Sequence, residues 1–85
     1  MGMKQKIMIV DDAEINRQIL MAILGDKYEY VQAENGCQAV HMLQHDLTID
    51  LILLDINMPE MNGFQMLERM NKFHWIDEIP VIMIS

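Results

Sequence analysis

The sequence is poor in cysteine and in basic residues and lacks long apolar runs, and these shortages exclude several classes of protein. Its single cysteine, Cys37, allows no intrachain disulfide and no cysteine-based metal site, as is typical of a reducing compartment. Only 6 basic residues stand against 13 acidic ones, so the clustered Lys and Arg of a nucleic-acid surface are missing. No apolar run approaches the ~18 residues that a membrane span requires. We therefore expect a cytoplasmic protein that binds neither nucleic acid nor membrane.

Apolar residues, in contrast, are abundant. They make up 52% of the 85 residues, far more than in disordered chains, and the length allows one domain. We assign residues 4–85 to that domain and interpret residues 1–3 as an N-terminal extension, in keeping with a cloning remnant.

Short apolar runs alternate along the chain with segments of helical periodicity. The runs predict buried strands, which we place at residues 7–10, 28–33, 51–54 and 80–85. Helical segments separate them, giving the order β-α-β-α-β-α-β. Such alternation implies a parallel sheet with right-handed crossovers and helices on both faces.

Local signals predict where the helices begin, where they end and which side chains face inward. Gly25 is a natural C-terminal stop, and Asn35 with Gln38 forms a variant of the capping box. We expect Arg17, on the first helix, to lie on a solvated face, with contact to a partner protein as the alternative. The inner face of the third helix is predicted to carry Phe64, Leu67 and Met70.

Two predicted strands end in carboxylates, Asp11-Asp12 after the first and Asp55 after the third. In open α/β sheets, ligands bind beyond the carboxyl ends of the strands, near a switch point in strand order. If these two strands are neighbours, three mutually repelling carboxylates share one shallow pocket. A hard divalent cation such as Mg2+ relieves that repulsion and accepts oxygen ligands, including a loop carbonyl such as that of Asn57. The pattern therefore indicates a Mg2+ site.

Three segments together resemble the receiver domain of two-component response regulators. They are residues 9–12, residues 53–63 with their Asp-x-x-Met-Pro-x-Met-x-Gly run, and residues 80–85. The spacings from Asp12 to Asp55 and from Asp55 to Ser85 also match the family. The resemblance covers the chain from Lys6 onward.

The resemblance implies a fold, a reaction and a role for each matching residue. The fold would be a flavodoxin-like doubly wound parallel sheet in the order 2-1-3-4. Asp55 would accept a phosphoryl group from the phosphohistidine of a sensor histidine kinase or phosphotransfer protein, which makes the domain a phosphoacceptor rather than a turnover enzyme. Asp11, Asp12, Asp55 and the Asn57 backbone carbonyl would hold Mg2+. Ser85 would be the switch hydroxyl that turns toward the phosphoryl group.

The sequence departs from the family pattern after Ser85, where a receiver continues with a helix, a fifth strand that ends in lysine, and a last helix. Without them, strand 81–84 would form an apolar sheet edge, and such edges favour intermolecular pairing. We therefore expect this fragment to self-associate or swap elements, which light scattering would detect. We also expect weak Mg2+ binding and slow phosphorylation, because the lysine charge is missing.

Two other functions are compatible with the residues. A Mg2+-dependent aspartyl phosphohydrolase would use the same nucleophile, but such enzymes typically carry a second acid two residues later, where this chain has Asn57. Multiple turnover of phosphate release would favour it. A non-phosphorylated interaction module is the other alternative, and an absence of Mg2+-dependent change in Trp75 fluorescence would weakly favour it.

Overall fold

The computed structural model describes residues 4–46, 48–56, 63–72 and 78–84. Within these ranges, strands and helices alternate as the sequence predicts, although the second and fourth strands each begin one residue later than expected, at Glu29 and Val81. None of the described helices has the length and hydropathy needed to cross a membrane. The elements in chain order are β1 (Lys6–Val10), α1 (Glu14–Leu24), β2 (Glu29–Ala33), α2 (Gly36–His45), β3 (Leu51–Asp55), α3 (Gly63–Lys72) and β4 (Val81–Ile84).

The four described strands form one parallel sheet in the order β2-β1-β3-β4, which confirms the predicted topology. The chain moves outward from β1 to β2 and then crosses back to β3, so the strand order reverses between β1 and β3. Val10 pairs with Leu54 in the register of these two strands. Asp11 and Asp55, the next residues, therefore lie side by side at the carboxyl edge of the sheet.

Alternation along the strands divides the core between the two faces of the sheet, because successive side chains point to opposite sides. Met8 and Leu54 belong to the larger cluster, which α2 and α3 cover with Leu43 and Met70. On the other face, Ile9 packs with Leu53, Leu20, Met21 and Leu24. Coverage on both sides explains why β1 and β3 read as nearly continuous apolar runs.

The inner face of α3 differs from the prediction at one position. Met70 is fully buried and Leu67 packs partly against the core, but Phe64 is 60% exposed. Met66 is buried in its place. Residues 66 and 70 are four apart and share one helix face, whereas position 64 lies on another.

The periodic apolar residues of α1 divide into an inner and an outer stripe. Leu20 and Leu24 pack against the sheet, while Ile15, Ile19 and Ile23 are exposed. At the far side of the described sheet, β4 is an edge strand and Ile82 is 51% exposed. Self-association through such surfaces stays a prediction.

Both predicted helix-end signals are confirmed. Gly25 follows α1 with φ of 85°, in the left-handed region that glycine adopts most easily, and its N–H donates to the Met21 carbonyl. At the start of α2, the Asn35 side chain accepts from the Gln38 N–H at 2.7 Å. The Gln38 side chain accepts in turn from the Glu34 N–H, one residue before the cap.

A polar cluster closes the opposite edge of the sheet, where β1 begins. Lys6 Nζ donates to Asp46 Oδ2 at 3.0 Å and to Thr48 Oγ1 at 2.9 Å. Asp46 Oδ1 accepts from both the hydroxyl and the N–H of Thr48. These two Thr48 donors, followed by Lys6, lower the pKa of Asp46 from 3.8 to about 2.

The lowered pKa of Asp46 makes stability depend on acid in a defined direction. A carboxylate with a depressed folded-state pKa stabilises the fold fully above its ordinary pKa of 3.8, and that contribution is lost as the pH falls toward about 2. We expect Asp46→Asn to flatten the decline in melting temperature over this range. Circular dichroism melts of wild type, Asp46→Asn and an Asp26→Asn comparison measure it. An unchanged decline in Asp46→Asn would contradict the assignment.

Candidate functional site

Three carboxylates meet where β1 and β3 end, as the sequence predicts. Asp11, Asp12 and Asp55 each offer an oxygen, and these oxygens all lie within 4.8 Å of one another. Asp11 is buried, Asp55 is partly buried and Asp12 is exposed. The group thus has one side inside the protein and one side open to solvent, a geometry in which an ion can enter and keep part of its water shell.

Asp11 is held by hydrogen bonds from several directions. Its Oδ1 accepts from the Ala13 N–H at 2.9 Å, and its Oδ2 accepts from Asn16 Nδ2 at 3.3 Å. Its own N–H donates to the Ala33 carbonyl at the end of β2, at 3.1 Å. These contacts fix the carboxylate beside the N-terminus of α1, where the helix dipole favours negative charge.

The structure corrects the prediction that Arg17 lies on a solvated face. Arg17 is buried, with only 6% of its surface exposed. Its Nη1 donates to the main-chain carbonyl of Asp11 at 2.5 Å, and its Nε donates to Gln32 Oε1 on β2 at 2.9 Å. A cation in the first turns of a helix opposes the helix dipole, and the sequence prediction did not take that mismatch into account.

A groove opens beside the carboxylates, with a volume of about 310 Å³. Asp11, Asp55 and Asn16 supply its polar lining, while α1 and β4 supply the apolar residues Ile19, Leu20 and Ile84. The groove therefore places charged oxygens next to an apolar wall.

The donor set fits a hard divalent cation. Three carboxylate oxygens at these separations match the oxygen ligands of Mg2+, which usually takes one or two carboxylates plus waters and substrate oxygens. Within the described ranges, no other group of three or more His, Cys, Asp or Glu side chains is placed to share an ion. Asn57 and Ser85 lie outside the described residues, so their predicted roles stay predictions.

The chain matches a known family over nearly its whole length. Residues 7–85 match the family model described as response regulator receiver domain. Among curated relatives, two-component response regulator ORR3 of Oryza sativa is 32% identical over 80 residues, covering 93% of this chain and 61% of that protein. Response regulator RR06 of Streptococcus pneumoniae is 36% identical, covering 93% of this chain and 35% of that protein.

Solved structures of receiver proteins share the fold of this chain. Chemotaxis protein CheY4 of Vibrio cholerae superposes with a TM-score of 0.84 at 30% identity, over 95% of this chain and 68% of that one. The N-terminal domain of a receiver protein from Methanoculleus marisnigri also reaches 0.84, at 31% identity, over 94% of this chain and 65% of that one. The chain spans about six tenths of the length of its rice relative.

Proposed function

This chain belongs to the response regulator receiver domain family, and from that premise we propose that Asp55 accepts a phosphoryl group from a phosphohistidine, with Mg2+ bound among the three carboxylates. The phosphohistidine would be carried by a sensor histidine kinase or a phosphotransfer protein. The observation that carries the proposal is the meeting of Asp11, Asp12 and Asp55 within 4.8 Å at the carboxyl ends of β1 and β3.

The position of Asp55 suits it to act as the nucleophile. It ends the central strand β3, whose pairing with β1 and β4 fixes its backbone, and its partly buried carboxylate lines the groove. A carboxylate oxygen would attack phosphorus, the P–N bond of the phosphohistidine would break, and the imidazole would leave with the bonding electron pair. Because phosphoryl transfer depends mainly on positioning and charge neutralisation, a rigid strand end is a suitable place for it.

The acids of β1 would prepare the site for the incoming phosphoryl group. Asp11 and Asp12 would hold Mg2+ together with Asp55 and, by the family resemblance, the Asn57 carbonyl. The bound ion supplies positive charge that offsets the carboxylates and the phosphoryl oxygens. Asp11 is oriented by Ala13 and Asn16, so it presents a fixed oxygen rather than a mobile one.

Intact-mass spectrometry tests this proposal directly. The protein is incubated with a small phosphodonor, with Mg2+ or with EDTA, and digested peptides then locate the added group. We expect one phosphoryl group on Asp55, formed only with Mg2+. Label on another residue, or equal labelling in EDTA, would contradict the proposal. Continuous release of more than one phosphate per protein would instead favour an aspartyl phosphohydrolase.

A further inference from the structure

Arg17 contacts the peptide group that joins the two acids of β1. The carbonyl that accepts from its Nη1 belongs to Asp11, so it is part of the Asp11–Asp12 peptide bond. That peptide unit is planar and contains the Cα atoms of both residues. Its orientation therefore influences the direction in which both side chains leave the backbone.

Two contacts tie Asp11 to β2, one through the peptide group that follows it and one through the peptide group that precedes it. The guanidinium that holds the carbonyl also donates to Gln32 on β2, and the Asp11 N–H donates to the Ala33 carbonyl on the same strand. The strand end is thereby held from its N–H side and its carbonyl side. The carboxylates of Asp11 and Asp12 are directed toward Asp55 from this fixed base.

A general packing role does not by itself explain the residue type. Burial disfavours an arginine unless its N–H groups are bonded, and the dipole of α1 disfavours a cation near its N-terminus. The two acceptors of Arg17 in the described part of the chain, a main-chain carbonyl and an amide oxygen, are uncharged. An apolar side chain would fill the space but would leave the Asp11 carbonyl without this donor.

We propose that Arg17 is a positioning residue for the cation site, because it orients the Asp11–Asp12 peptide so that both carboxylates face Asp55. This inference rests on the proposed Mg2+ site. It requires no contact between Arg17 and the ion. Gln32 contributes by accepting a hydrogen bond from Arg17 and so helping to hold the guanidinium in place.

The test compares Mg2+ dissociation constants for wild type, Arg17→Gln and Gln32→Ala by isothermal titration calorimetry, at a temperature where melts show each protein folded. Loss of groups that orient metal ligands typically weakens binding about 10–100-fold. We expect Arg17→Gln to fall in that range and Gln32→Ala, which keeps the arginine, to weaken binding less. The exposed Arg69 on α3 gives the control, and Arg69→Gln should bind like wild type.

The direction in which the Mg2+ dissociation constant changes distinguishes a positioning role of Arg17 from a purely electrostatic one. If Arg17 acted only as a nearby positive charge, its removal would tighten Mg2+ binding, because a repelling cation would be gone. Tighter or unchanged binding in Arg17→Gln would therefore overturn the inference, and so would a fall in melting temperature with an unchanged dissociation constant. If wild type itself binds no Mg2+, the proposed function fails rather than the role of Arg17 alone.

Discussion

An Asp55→Asn variant is expected to take up no phosphoryl group from a small phosphodonor at any Mg2+ concentration. Asparagine has nearly the shape of aspartate, so β3 should keep its pairing with β1 and β4. Its amide oxygen is a much weaker nucleophile than a carboxylate, and no stable acyl phosphate can form on it. The loss should be complete rather than partial, because the variant removes the proposed acceptor atom and not merely a group that assists transfer.

Intact mass after incubation with the donor measures this loss. Asp50→Asn is the matched control, because Asp50 directly precedes β3 at the opposite edge of the sheet and is exposed. The control should label like wild type, and both variants should show the wild-type circular dichroism spectrum. Label on the Asp55→Asn variant equal to that of wild type would show that another residue is the acceptor.

An Asp12→Asn variant should be more stable than wild type without Mg2+ and less stable than wild type with it. The Asp12 carboxylate lies within 4.8 Å of two other carboxylates, and like charges about 4 Å apart repel by about 1 kcal/mol even in water. Neutralising it should therefore stabilise the metal-free protein by about 1 kcal/mol, which raises the melting temperature of a domain this size by about 4–8 °C.

The same change removes a ligand of the proposed ion. Orienting groups alone are worth about 10–100-fold in metal affinity, so loss of a direct ligand should raise the Mg2+ dissociation constant at least about 10-fold. A ligand that binds only the folded state stabilises it more as its concentration rises above the dissociation constant. As Mg2+ is added, the melting temperature of wild type should therefore rise above that of Asp12→Asn.

Melts over a Mg2+ titration at constant ionic strength measure this crossing, since salt also screens exposed charges. Asp26→Asn provides a control in which one exposed acid is removed away from the cluster. A variant Asp12→Asn that melts below wild type without Mg2+ would contradict the repulsion argument. If Mg2+ raises the melting temperature of Asp12→Asn as much as that of wild type, the ligand assignment is contradicted.

The alternation of strands and helices was predictable because each signal is local. Apolar runs fit strands buried on both faces, and Asn35, Gln38 and Gly25 mark helix ends through contacts within a few residues. The acids of the site were also predictable, since Asp11, Asp12 and Asp55 directly follow the apolar runs of two predicted strands. That they share a site followed only if β1 and β3 were neighbours.

Side-chain burial on the helices was less predictable, because periodicity gives a spacing and not the direction of the core. Phe64 and Met66 are both apolar, and only the placement of α3 against the sheet buries one and exposes the other. The three isoleucines on the outer stripe of α1 are exposed for the same reason.

The sequence by itself determined the type and order of the elements and singled out Asp55, Asp11 and Asp12 as candidate site residues. Tertiary structure alone decided that their oxygens approach within 4.8 Å and that Arg17 turns inward to hold the peptide between two of them. The physical reason is the range of the interactions. Helix ends and strand patterns depend on neighbours along the chain. The site depends instead on the pairing of Val10 with Leu54, which are more than forty residues apart in sequence, and on the Arg17 side chain, which reaches from α1 to β2.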